Sequence, residues 1–279
     1  MRIDPAQVVV VTETMSTTVT MDGKTGFVFI CNAQLPFELV ERNPRQQFCK
    51  FLCLRLNRAF GSRLQFRLQA GVIKLTGRLK DFVLLPRSFY RPTAEKVAPS
   101  LLGHFLIRHD GEGFCGGAIV EAEAYLADDP ACHAAPGLTA RNRVMFGEPG
   151  HGYVYFIYGV HFCVNAVCQP AGVAEAVLIR AIEPGFGETR LRQNRPAKKT
   201  SELTNGPGKL CQALGITRSL NGVDLCDWHS GVFIAENPKV TGFRRAHGPV
   251  VTTTRIGITQ AAALPLRFYL AGSAFVSRR

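Results

Sequence analysis

Read for the spacing of its apolar and polar positions, the chain changes character near residue 85. From there short apolar runs alternate with turn residues at regular intervals. Thr93 can cap a short helix that Gly103 ends. Residues 104–108 read as a strand, 110–113 as a turn and 114–126 as the returning strand. Residues 128–143 (DDPACHAAPGLTARNR) are loop-like. Residues 152–158 and 161–168 are strand patterns joined at Gly159–Val160, a pair suited to a tight hairpin turn. A strand over 174–182 follows, then a basic stretch, 187–203, that reads as helix or loop. Asn205–Gly208 opens a short helix over 209–214 that Gly215 ends. Late strands fall at 250–258 and 266–270, and no repeat is visible. Hairpins with inserted helices predict an α+β fold: one domain, 85–279, over a curved, mostly antiparallel sheet with a protruding hairpin.

Residues 1–84 form an extension with weaker signals. Stretches 8–18 and 27–31 are β-prone, and 50–72 is apolar with interspersed arginines. No chemical constellation stands out. A nucleic-acid-binding arm, a poorly ordered leader, or residues added by a start site assigned too far upstream all fit.

Composition narrows the class. At 279 residues, 46% hydrophobic and 19% charged, the chain is globular and long enough to bury a core without disulfide or metal staples. No apolar run approaches the ~18 residues of a membrane span, and no secretory signal is readable. Nine cysteines, with no CxxC pair, fit reduced thiols in the cytoplasm. The net charge of +12 points to a polyanion, nucleic acid or an anionic membrane face. Residues 41–80 carry ten Lys/Arg against one acid, while 85–279 carry 21 against 15.

Four segments could carry chemistry. In the strand around EAEAY (121–125), alternation puts Glu121, Glu123 and Tyr125 on one face, with the carboxylates ~6.6 Å apart. Such a face is either a solvated edge or an acid/base pair, of the kind that suits glycosidic cleavage. The hairpin YVYFIYGVHFCVN (153–165) puts Tyr153 and Tyr155 on one face and Tyr158 beside the turn. It is either an aromatic core or a base-stacking and wedging device. Arg180 interrupts an apolar strand and requires a carboxylate or phosphate partner. NGPGK (205–209) is a Gly-rich turn into a helix N-terminus, an anion site by geometry but no Walker loop. No HExxH, zinc finger or GxSxG pattern occurs, so neither metal nor cofactor is expected.

These segments, in this order, resemble the alkyladenine-type 3-methyladenine DNA glycosylases. The runs that carry the resemblance are VEAEAYL (120–126), CHAAPGLTARNRVMF (132–146), YVYFIYGVHFCVN (153–165), VLIRAIEP (177–184), NGPGKLCQALGI (205–216), RIGI (255–258) and LRFYLAGSAFVS (266–277). Seven collinear matches over roughly 195 residues are specific, and the YGVHFC form is closer to bacterial members than to animal ones. Residues 1–84 match nothing in the family domain, and 215–249 does not align usefully.

The resemblance implies hydrolysis of the N-glycosidic bond of damaged purines: 3-methyladenine, 7-methylguanine, hypoxanthine and ethenoadenine. Tyr158 then fills the gap left in the duplex. The flipped base stacks between Tyr125 on one side and His133 and Tyr155 on the other. Glu123 deprotonates a water held also by Arg180 and the backbone near Ile256. Asn165 disfavours normal guanine. Thr139, Arg141, Val160, His161 and Lys209 contact DNA. His133 supplies a proton or hydrogen bond to neutral purines, and no lyase step is expected, since no matched pocket position is Lys. Glu121 receives no family role. The partner is damaged double-stranded DNA, with no membrane, and a monomer is expected. A non-cutting lesion-shielding protein, a basic RNA-binding module and a sugar glycosidase using Glu121 and Glu123 are the alternatives. The catalytic pair speaks against the first, and the absence of RNA-binding motifs against the second.

Overall fold

A computed structural model describes residues 16–21, 24–29, 82–110, 113–157 and 159–278. The chain divides into two compact units, 1–76 and 77–279. In the first, β1 (Ser16–Met21) and β2 (Lys24–Phe29) pair antiparallel, with Met21 opposite Lys24. The basic stretch 50–72 lies outside the described residues.

The second unit is built on an eight-stranded antiparallel sheet. Its strands are β3 (Phe105–Asp110), β4 (Gly113–Tyr125), β5 (Gly152–Ile157), β6 (His161–Cys168), β7 (Glu175–Phe186), β8 (Val232–Ala235), β9 (Val250–Thr253) and β10 (Arg267–Leu270). The order is β5-β6-β7-β4-β10-β9, and β3 lies between β4 and β8. The thirteen-residue β4 is the hub. Its second half pairs with β10, its first half with β3, and its other edge with β7. With both edges paired, 113–125 is buried almost throughout, its two acids included. Small residues let β7 come close: a Cβ on Gly117 would stand 1.9 Å from the Glu183 carbonyl oxygen.

Helices α1 (Ala94–Leu101), α2 (Glu188–Asn194), α3 (Pro207–Leu214) and α4 (Val240–Ala246) are added to the sheet. Helix α1 buries Ala94, Val97, Ala98 and Leu101, an i, i+3, i+4, i+7 stripe, in the main core. The expected Thr93 side-chain cap is not made. Instead the Ala94 N–H donates to the Glu175 carboxylate at 2.7 Å, so a buried acid from β7 meets the positive end of α1. Helix α3 begins at Pro207, earlier than expected, because proline is preset for the first helical position. It ends on Gly215 at φ +63°, with Ile216 N–H returning to the Cys211 carbonyl at 2.8 Å.

Three sequence expectations change. The strand expected over 250–258 stops at Thr253, since Arg255 turns inward and Gly257 takes φ +81°. The strand expected to end at Ile182 runs on to Phe186. The stretch 215–249 contains β8 and α4; all four residues of β8 are buried, so no alternation announces it. Among the described residues no helix is long and apolar enough to cross a membrane.

The six described cysteines are free thiols, five of them buried and Cys226 half-buried. Burial raises the pKa of every one, to about 11 at Cys115, Cys132 and Cys226.

Candidate active site

The site grows from a double irregularity in the β4–β7 ladder. Pairing runs Ile119 to Ile182, Glu121 to Ala181 and Ala122 to Ile179, so it skips Val120 on one strand and Arg180 on the other. A bulge re-aims side chains. Val120 joins Ile119 in the core, while Arg180 meets Glu121 and Glu123. The solvated-edge alternative for the two carboxylates is therefore excluded. Both lie on an interior strand and both are 0% exposed.

Arg180 divides its guanidinium among three neighbours. Nε donates to Glu121 Oε1 at 2.9 Å, Nη1 pairs with Glu123 Oε2 at 3.1 Å, and Nη2 donates to Ser277 Oγ at 3.2 Å. Burial works against its charge, but Glu123 and then Glu121 outweigh that and raise its pKa. Glu121 receives three further hydrogen bonds, from Arg267 Nε at 2.8 Å and from the Ser277 N–H and Oγ at 2.6 and 2.8 Å. Glu123 accepts the Ile256 N–H on Oε1 at 2.7 Å and the Tyr125 hydroxyl on Oε2 at 3.0 Å. Two acids and two guanidiniums thus balance in a buried cluster, the condition under which buried charge is tolerated.

Above this cluster opens a cavity of about 460 Å³, within the usual range for small-molecule sites. Tyr125, His133, Tyr153, Tyr155, Asn165, Arg180 and Ile256 are among its lining residues. The His133 ring centroid lies 4.3 Å from that of Tyr155, and the Tyr153 and Tyr155 centroids are 5.3 Å apart. His133 Nδ1 is 3.1 Å from the Tyr153 hydroxyl. Burial, with Arg141 adding to it, lowers the His133 pKa, so the ring is neutral near pH 7. It can offer a hydrogen bond, whereas the full proton transfer considered from sequence would need an imidazolium. Burial, and then the Glu123 charge, keep the Tyr125 phenol protonated as a donor. The buried Asn165 donates Nδ2 to the Tyr153 carbonyl at 3.1 Å.

Of the remaining candidates, His161 and Lys209 line the cavity, and Thr139 and Arg141 line a neighbouring depression that shares His133 and Tyr153 with it. Thr139, Arg141, Val160 and His161 are exposed, and Lys209 is half-buried. Lys209, expected as a DNA contact, also lines the cavity, and its Nζ donates to Asn205 Oδ1 at 2.8 Å. Helix α3 begins so close to His161 that a Cβ on Gly208 would stand 2.9 Å from that ring, hence glycine. Tyr158 lies outside the described residues.

Several site residues were invisible to sequence reasoning. Arg255 lies within the RIGI run, and nothing in its local spacing marks it. Its guanidinium lies 4.7 Å from the Tyr125 ring centroid, held by the buried Asp129 through two hydrogen bonds and by the Ala124 carbonyl at 3.0 Å. Asn142 fixes the His133 loop by donating to the His133 and Gly137 carbonyls at 2.9 and 2.8 Å. Ser277 sat in a matched run without a role. Among the described residues no group of three or more His, Cys, Asp or Glu is placed to hold a metal.

A family model described as methylpurine-DNA glycosylase matches residues 88–274. The chain belongs to this family. A Methanoculleus marisnigri relative is 51% identical over 195 residues, which is 70% of this chain and 99% of that protein. Relatives from Carboxydothermus hydrogenoformans and Koribacter versatilis are each 47% identical, covering 71% of this chain and 100% and 95% of their own lengths. All three bear the name "Putative 3-methyladenine DNA glycosylase". As a methylpurine-DNA glycosylase the protein is a DNA-repair hydrolase whose substrate is DNA. The family match spans Glu123, Arg180, Ile256 and the aromatic wall, and stops short of Ser277.

Proposed function

We propose that the protein extrudes an alkylated or deaminated purine from duplex DNA into the cavity and hydrolyses its N-glycosidic bond. The lesions are 3-methyladenine, 7-methylguanine, hypoxanthine and ethenoadenine. A base within the stack is out of reach, and a damaged pair costs least to open. The extruded base stacks between Tyr125 and the His133–Tyr155 wall, and Tyr158 takes its place in the duplex. Arg141 and Thr139, with Val160, His161 and Lys209 across the mouth, hold the strand. Aromatic faces attract the positive charge of alkylated purines. Asn165 disfavours the exocyclic amine of guanine.

Glu123 removes a proton from a water that Arg180 and the backbone at Ile256 help to hold. The water oxygen bonds to C1′, the C1′–N bond breaks, and the base leaves with the electron pair. A cationic purine leaves without help. A neutral one takes a hydrogen bond from His133: with the Tyr153 hydroxyl donating to Nδ1, the ring carries its proton on Nε2. The product is an abasic site. No lyase step follows in this reading: Lys209, the lysine lining the cavity, is assigned to the DNA strand and its Nζ donates to Asn205. The enzyme works as a monomer without metal.

The observation that carries this reading is the convergence of Ile256 N–H, Arg180 and the Tyr125 hydroxyl on one buried carboxylate beneath an aromatic cavity. Single-turnover release of base tests it. Duplexes carrying ethenoadenine or hypoxanthine, and methylated DNA, are incubated in EDTA with wild type and Glu123→Gln. Release by wild type and loss in the variant are expected. Tight lesion binding without release would replace catalysis by shielding.

A further inference from the structure

We infer that Ser277 is a positioning residue, which through Glu121 holds the Arg180 guanidinium in register with Glu123. The inference rests on the reading that Glu123 and Arg180 act at the reacting centre.

The closest approach of Arg180 to Glu123 is Nη1 to Oε2, at 3.1 Å. That contact alone leaves the plane of the guanidinium free to swing. Its other two nitrogens remove the freedom, and both lead to the same place. Nε rests on Glu121 Oε1, and Nη2 rests on Ser277 Oγ, which itself donates to Glu121 Oε1 at 2.8 Å. The Ser277 N–H fixes the opposite carboxylate oxygen at 2.6 Å. Ser277 therefore supplies two of the four hydrogen bonds to Glu121 and is one of the three partners of Arg180. The same segment holds Arg267, whose Nη2 donates to the Arg278 carbonyl while Nε rests on Glu121. Arg267 supplies Glu121 with a second cation, so Glu121 does not draw Arg180 away from Glu123. Val276 is buried and Phe275 packs on the main core, which fixes the height of the segment against the sheet.

A guanidinium fixed at three corners is preorganised; one fixed at two can tilt, and displacements of ~1 Å cost about a hundredfold in rate. Ser277 is only half-buried, so its replacement opens no core cavity.

The test measures single-turnover base release from a hypoxanthine duplex, the Kd for an uncleavable lesion duplex, and the thermal midpoint. The proteins are wild type, Ser277→Ala, Ser277→Thr, a chain ended after Val276, and Glu123→Gln. Ser277→Ala is expected to slow release by about 10- to 100-fold while Kd stays within about twofold. Ser277→Thr, which keeps the hydroxyl, returns the rate to within about threefold of wild type. The shortened chain, lacking both Ser277 donors, releases base at least as slowly as Ser277→Ala. Release within about twofold of wild type in both Ser277→Ala and the shortened chain overturns the inference. So does a rate that falls only in step with Kd and thermal midpoint, without recovery in Ser277→Thr, since that is the signature of a structural latch. Glu123→Gln separates the two readings: if it releases base like wild type, the assignment of the reacting centre fails, whatever Ser277 does.

Discussion

Glu121→Gln removes one charge and one acceptor from a space that has neither to spare. Glu121, Glu123, Arg180 and Arg267 are each no more than 5% exposed, and their charges cancel. The variant leaves two guanidiniums facing one carboxylate. Uncovering a buried charge in this way costs about 3–5 kcal/mol. Hydrogen bonding adds to the mismatch. If the amide keeps its oxygen toward Arg180 and Arg267, its NH₂ faces the Ser277 N–H, donor against donor; the flipped amide faces both arginines. An unmet buried donor costs about 1–3 kcal/mol, and the two penalties overlap rather than add. A loss of about 4 kcal/mol is therefore expected, a large share of the usual 5–15 kcal/mol of a folded protein. Urea unfolding followed by tryptophan fluorescence or circular dichroism measures it, with the slope unchanged. The charge argument makes a second demand. Arg267→Met restores neutrality, so Glu121→Gln with Arg267→Met must be less destabilised than the sum of the single variants by at least about 1 kcal/mol. A single-variant loss below about 1 kcal/mol, or additive single costs, would refute the reasoning.

Three further outcomes follow from the same geometry. Tyr153→Phe strips His133 Nδ1 of its partner, so single-turnover release of hypoxanthine should fall about tenfold while release from methylated DNA stays within about twofold. Burial, with Arg244 adding to it, lowers the His104 pKa to about 4 from 6.5 unfolded. The unfolded chain then binds the extra proton first, so stability is intact above pH 6.5 and falls between there and pH 4. For this half-buried ring the loss is about 1–2 kcal/mol after screening, and His104→Gln should flatten urea midpoints measured between pH 7 and pH 5. Gly117→Ala should cost more than about 3 kcal/mol, because its Cβ meets a backbone oxygen at 1.9 Å; Gly242→Ala in α4 meets nothing within 4 Å and should gain about 0.5–1 kcal/mol by thermal melting.

What was readable beforehand was local. Alternation put Glu121, Glu123 and Tyr125 on one face and Tyr153 with Tyr155 on another, and glycines marked the ends of α1 and α3. What escaped was decided by distant partners. Glu175 caps α1 from 81 residues away, and Asp129 turns Arg255 out of a strand pattern from 126 residues away. No local spacing encodes either. Ladder slips at Val120 and Arg180 cannot be seen without knowing that β4 faces β7. The four apolar residues of β8 could equally be a helix turn; they are a strand because the edge of β3 lies open to them.

The shielded thiols bear on chemical reactivity. Methylating agents that attack purines also attack thiolates, and a free cysteine with pKa near 8.5 is about 3% thiolate at pH 7. With pKa values about 11, Cys115, Cys132 and Cys226 expose roughly one thiolate in ten thousand. These three sulfurs are therefore poor targets for agents that react with thiolates.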